Sequence, residues 1–139
     1  MRQVLIAICC SLVATAAVAE VRILSSSGGE VSGYLRFFSA LRRSGERVVI
    51  DGPCLSACTL VLSTIPRNRI CVTSRAVLGF HAPQIIDQSG RKFGSSQVTR
   101  AVAASFPAAV RSWIQRNGGL NRKLILLRGR QLSAIYRHC

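Results

Sequence analysis

The chain has 139 residues, with 19 Lys plus Arg against five Asp plus Glu for a formal charge of +14, and 49% of its residues are apolar. So high an apolar fraction excludes a disordered chain, because it suffices to bury a core. The length suits one domain, and six cysteines make the redox compartment part of the argument.

Arg2 opens the chain, residues 4–17 are almost wholly apolar, and Ala17-Val18-Ala19 is a small-x-small cleavage site. Together they predict a Sec-type signal peptide over residues 1–19. The alternative is an uncleaved N-terminal anchor, although the apolar run is shorter than the ~20 residues a span needs. We therefore expect residues 20–139 to form a single domain, periplasmic or secreted after cleavage, or else tethered to the membrane by that segment. Cleavage removes Arg2, Cys9 and Cys10, lowering the charge by one and leaving Cys54, Cys58, Cys71 and Cys139 where disulfides are permitted. Four cysteines allow three pairings, and the sequence does not choose among them. Two disulfides, tying the turn around Ser56 and the C-terminus to the body of the domain, are expected ahead of a metal site, because the pattern lacks a second short-spaced ligand pair. Neither a metal nor a cofactor is expected.

Residues 21–24 read as a short strand, ended by Ser25-Ser26-Ser27-Gly28-Gly29. A helix follows, since Val31, Tyr34, Leu35, Phe38 and Leu41 form one apolar stripe with Arg36, Arg42 and Arg43 off it, and Gly45 stops it. Val48-Val49-Ile50 predicts a buried strand running into a turn at Asp51-Gly52-Pro53, and residues 55–64 are read as a buried helix. Residues 70–73 and 77–81 predict two more strands. Residues 82–94 predict a loop or small hairpin. A helix over residues 95–117 must be kinked or divided by Pro107, Gly118-Gly119 ends it, and residues 120–136 are expected to hold one or two short helices around Gly129. Strands alternating with helices imply an α/β layer structure with a short, mainly parallel sheet and flanking helices.

Two stretches carry candidate chemistry. In Asp51-Gly-Pro-Cys-Leu-Ser56-Ala-Cys58 a serine sits between a strand-ending turn and an apolar helix. Unpaired N–H groups at a helix start favour developing negative charge, so Ser56 is either an activated nucleophile or merely the helix N-cap. In Leu78-Gly79-Phe80-His81-Ala82-Pro83 a histidine stands at a strand end, where it is either a general base or a structural side chain. Nucleophile and base can meet in space from distant sequence positions.

Ser25-Ser26-Ser27-Gly28-Gly29-Glu30-Val31, Gly52-Pro53-Cys54-Leu55-Ser56-Ala57-Cys58-Thr59 and Arg69 through Leu78-Gly79-Phe80-His81-Ala82-Pro83, in this order and spacing, resemble the Clp-protease proteolytic subunit and its periplasmic relatives in the ClpP/crotonase superfamily. The resemblance covers about residues 23–83 and implies a ClpP/crotonase-like layered fold and serine peptidase chemistry. Under it, Ser56 is the nucleophile, His81 its base, and the backbone N–H groups of Gly29 and Ala57 the oxyanion hole. Three departures accompany it. Ser27 stands where the family has proline, and the only acid after His81 is Asp87, too early to match the triad acid. The strand-helix unit expected before the Gly-Gly turn is missing, so the fold reads as N-terminally truncated, with a homo-oligomer or partner chain expected to complete the sheet. A peptide or protein is then the expected substrate.

The basic excess supports a reading of another class, a catalytically inactive scaffold binding an acidic partner or an anionic envelope component. Arginine dominates it, and Arg67, Arg69, Arg75, Arg91, Arg100, Arg111, Arg116, Arg122, Arg128, Arg130 and Arg137 weight the second half. A dispersed basic surface without a specific ligand is the plainer alternative. Nucleic acid is not expected, given the export signal and the lack of an aromatic platform.

Overall fold

A computed structural model describes residues 19–139. The expected signal peptide or anchor lies outside the described residues, except for its last residue. Among the described residues no helix is long and apolar enough to cross a membrane.

Strand β1 (Glu20–Ile23) leads through the Gly28-Gly29 turn into helix α1 (Val31–Ser44), which returns the chain to β2 (Arg47–Ile50). The turn glycine Gly45 is left-handed at φ 84°. Arg69 then donates to the carbonyls of Leu41 (2.6 Å), Arg42 (3.0 Å) and Glu46, supplying a cation and donors where the last carbonyls of a helix lack backbone partners within it. Strand β3 (Pro53–Leu55) runs into a 3-10 turn (Ser56–Leu60) and one turn of helix, α2 (Val61–Thr64). The helix expected over residues 55–64 is thus broken into pieces. Ser56 at φ 55° cannot begin a right-handed helix, and Ile65 is extended because Pro66 follows it. The same rule divides the later helix into α3 (Ser96–Ser105) and α4 (Ala108–Arg116), with Phe106 extended ahead of Pro107.

Strands β4 (Ile70–Val72) and β5 (Val77–Phe80) stand where the sequence places them. The segment after His81 folds as a hairpin, β6 (Gln84–Ile86) and β7 (Lys92–Gly94), closed by Asp87, whose carboxylate accepts from the backbone N–H of Ser89 and of Arg91. The last stretch differs from expectation. It holds a strand, β8 (Ile125–Arg128), before the short helix α5 (Gly129–Ser133).

Two three-stranded sheets result, in the orders β1-β2-β4 and β3-β5-β8. All pairings in them are parallel except β5 with β8. The molecule is therefore a mixed α/β fold with small sheets and flanking helices, as composition and alternation imply. The sheets and helices share one core, in which Phe38 and Leu41 of α1 join Val48 and Ile50 of β2, Leu78 and Phe80 of β5, and Trp113 and Ile114 of α4. Phe80 packs edge-on against Phe106, with ring centroids 5.3 Å apart.

At the end of β2 the buried Asp51 receives Arg22 (2.9 Å), Arg75 (2.6 Å) and the Thr73 hydroxyl (2.6 Å). Foremost through Arg75, these donors hold its carboxyl well below the usual carboxylate range. The cysteines pair as Cys54–Cys58 and Cys71–Cys139. The second ties the C-terminal segment to β4, as expected. The first is local, running from Cys54 in β3 to Cys58 in the 3-10 turn, and so ties the Ser56 turn to the strand just before it.

Candidate active site

Ser56 is where strand geometry fails. Leu55 is extended (φ −111°, ψ 153°), the next residue turns left-handed at φ 55°, and the chain then winds into the 3-10 turn. Among the described residues it is the only non-glycine at positive φ. This backbone turn leaves the Ser56 hydroxyl facing the end of β5 rather than curled over its own helix start. The N-cap alternative is thereby replaced, for the capping position belongs to Leu55 and carries no side-chain bond.

What the hydroxyl meets is His81, in the residue just beyond β5. Its Nε2 lies 2.8 Å from Ser56 Oγ. Its Nδ1 lies 2.8 Å from the Ala82 carbonyl oxygen. A carbonyl can only accept, so Nδ1 carries a proton, and in the neutral imidazole Nε2 is left as the acceptor for the Ser56 hydroxyl. The parallel register that sets Leu55 beside Gly79 is what brings the two side chains together.

Opposite Ser56 lies the Gly28-Gly29 turn. A Cβ on Gly28 would stand 2.5 Å from Ser56 Cβ and 2.7 Å from the Leu55 carbonyl oxygen, so only glycine fits this approach. The turn is pinned by Ser26, which donates its N–H to the Pro53 carbonyl (2.8 Å), accepts from Leu55 N–H (2.9 Å), and pairs its hydroxyl with Tyr34 (2.7 Å). Gly29 and Ala57 both line the cleft that holds Ser56 and His81. Ala57 N–H precedes the first bond of the 3-10 turn and so has no intrahelical partner.

The cleft has a volume of about 750 Å³. Its walls are largely apolar, with Val31 and Leu35 from α1, Phe80, Ile86 of the hairpin, and Phe106; Glu30 and Lys92 are its charged members. Val31 and Leu35 belong to the stripe that periodicity assigns to the core. Only the later members of that stripe, Phe38 and Leu41, are buried in the core, while Val31 and Leu35 are 38% and 40% exposed at the cleft. The hairpin residues Gln84, Ile86 and Lys92 were not among the sequence-predicted site residues, and nothing in a loop-like segment marks them.

No family model matches the chain, and no curated protein matches its sequence. The site is therefore read from its own geometry. Among the described residues no carboxylate bonds to His81; Asp87 accepts instead from Ser89 and Arg91 in the hairpin turn, which also lower its pKa, the Ser89 hydroxyl foremost. The His81 orienting partner is a backbone carbonyl, which a search for acidic side chains does not find. Among the described residues no group of His, Cys, Asp and Glu is arranged to hold a metal ion. Part of the basic excess is also occupied, Arg69 on the carbonyls closing α1 and Arg111 on the Phe106 carbonyl at 2.7 Å.

Proposed function

We propose that the protein is a serine-type acyl hydrolase acting on peptide bonds, with Ser56 as nucleophile and His81 as general base. The observation that carries this reading is the 2.8 Å hydrogen bond from Ser56 Oγ to His81 Nε2 at an apolar cleft. The Ala82 carbonyl takes the orienting part that a carboxylate takes in a triad. Being neutral, it fixes the tautomer without stabilising the imidazolium as strongly, so turnover is expected to be slow.

In the proposed cycle Ser56 Oγ attacks the substrate carbonyl carbon while its proton passes to His81 Nε2. The oxyanion so formed is received by the N–H groups of Gly29 and Ala57. Collapse breaks the C–N bond, and the departing amine takes the proton from His81. Water, deprotonated by the same imidazole, then cleaves the acyl-Ser56 ester and regenerates the pair. The ordered glycine turn, serine turn and His-x-Pro segment that resemble the ClpP/crotonase superfamily support this reading, as does the left-handed Ser56. Export of the domain, and completion of its sheet at the outer strand β1 by another chain, belong to the same proposal.

The experiment is covalent labelling of the folded, oxidised protein by a fluorophosphonate probe, beside Ser56→Ala and His81→Ala. Labelling at Ser56 in the parent, absent in Ser56→Ala and about 10³-fold slower or more in His81→Ala, is the expected result. A folded parent that does not label would sink the nucleophile assignment and leave the basic, partner-binding scaffold as the better account.

A further inference from the structure

The left-handed backbone at Ser56 raises the question of what holds it there. An L-residue rarely adopts this conformation, and it persists only where its surroundings over-determine it. Hydrogen bonds supply part of the restraint, with Thr59 Oγ1 donating to the Ser56 carbonyl at 2.7 Å and Leu55 N–H to Ser26. A further restraint is covalent. Cys54 and Cys58 stand two residues to either side of Ser56 and are joined, with their Cα atoms 5.3 Å apart.

We propose that the Cys54–Cys58 disulfide is the positioning element of the site, holding Ser56 Oγ on His81 Nε2. The two ends of the bond are anchored in different ways. Cys54 is in β3, registered opposite Leu78 of the strand that leads to His81. Cys58 is in the 3-10 turn and buried in the core. Joining them fixes the turn that carries the hydroxyl to the strand pair that carries the imidazole. With the bond open, residue 56 is free to return to a right-handed or extended conformation, and the hydroxyl leaves the imidazole. Opening by a dithiol is a two-electron exchange in which the reagent becomes a disulfide and the two cysteines take up its two protons. This positioning role rests on the nucleophile reading for its catalytic meaning but not for its geometry.

The test compares Cys54→Ala/Cys58→Ala with Cys71→Ala/Cys139→Ala, reading the fluorophosphonate labelling rate and the His81 Nε2 resonance by 15N NMR. The first variant is expected to lose about a hundredfold in labelling rate, as a small misplacement of a reacting group does, together with the Nε2 hydrogen-bond shift. The second is expected to keep both. Retention of both signals in the first variant, or equal loss in the two, overturns the proposal. If the parent itself does not label, the nucleophile reading fails, and the Nε2 shift alone still decides the positioning role. If the first variant does not fold, the parent is titrated with a dithiol and its thiols are mapped by mass spectrometry. Labelling and Nε2 shift must then fall in step with opening of Cys54–Cys58, and a fall in step with Cys71–Cys139 refutes the role.

Discussion

Replacing Gly28 by alanine tests the packing of the glycine turn against Ser56, and Gly45 provides the control. Both glycines are left-handed, at φ 86° and 84°, so an alanine at either carries the same backbone penalty, about 1–2 kcal/mol. Their surroundings differ. At Gly45 a Cβ meets nothing within 4 Å, whereas at Gly28 it meets Ser56 Cβ at 2.5 Å, the Leu55 carbonyl oxygen at 2.7 Å and Ala57 N at 3.0 Å. Two of these three are backbone atoms, which cannot swing aside, and overpacking of this kind costs about 1–3 kcal/mol more. Gly28→Ala is therefore expected to lose about 2–5 kcal/mol against about 1–2 kcal/mol for Gly45→Ala. The assay is equilibrium urea unfolding of the two variants and the parent, followed by far-UV circular dichroism. At a slope near ~1.5 kcal/mol/M the extra loss of about 1–3 kcal/mol moves the midpoint by roughly 0.7–2 M. Probe labelling adds a second readout, since the clash pushes directly on Ser56, and Gly28→Ala should slow labelling where Gly45→Ala does not. Equal midpoints and equal labelling in the two variants would refute the close approach of the turn to Ser56.

Further expectations concern the frame around the site. Arg69→Met keeps the side-chain stem but removes the donors to the carbonyls of Leu41, Arg42 and Glu46, and should cost about 2–3 kcal/mol in urea unfolding; a change under about 0.5 kcal/mol would contradict that capping role. Asp51, with a folded pKa held below its ordinary value of 3.8, contributes stability that is complete above that value and is lost as pH falls below it. Asp51→Asn should therefore flatten the acid limb of a stability-versus-pH curve, and an unchanged slope would show that the limb belongs to other groups. Tyr136 is buried with its hydroxyl unpaired among the described residues, and burial pushes its phenol up to about 12. Tyr136→Phe removes an unsatisfied polar atom and should be neutral or stabilising by about 1 kcal/mol, measured as a thermal midpoint that holds or rises. Loop-closure arithmetic gives the bond spanning 68 residues about 4 kcal/mol and the bond spanning four about 2 kcal/mol, so Cys71→Ala/Cys139→Ala should unfold at lower urea than Cys54→Ala/Cys58→Ala.

What the sequence made legible was what local periodicity and punctuation encode. The apolar stripe gave α1, Gly45 its end, the Val48-Val49-Ile50 triplet gave β2, and Pro107 divided the later helix. Serine and histidine motifs identified Ser56 and His81, which the fold brings into contact. The losses came where tertiary contacts overrode local preference. Ile125–Arg128 is rich in leucine, a good helix former, yet it pairs antiparallel with β5 and becomes β8. Pro53 reads as the end of a turn and Leu55 as the start of a helix, but parallel pairing with β5 makes Pro53–Leu55 a strand. Three features of the site left no local signature. The left-handed Ser56 is a backbone state, the Ala82 acceptor is a backbone atom, and the hairpin residues that line the cleft become neighbours of Ser56 only on folding.

The spacing of the cysteines also bears on the order in which this chain would acquire its bonds. In an unfolded chain, closing a loop of four residues is favoured over closing one of 68 by about 2.5 kcal/mol, or roughly seventyfold in local thiol concentration. Cys54 and Cys58 should therefore find each other first, well before sheets have formed. In the exported form proposed above, which keeps four of the six cysteines, Cys71 and Cys139 then have only one another. A problem with three combinatorial answers thus resolves by kinetics into the native one, and the turn bearing Ser56 is closed at the start of oxidative folding rather than at its end.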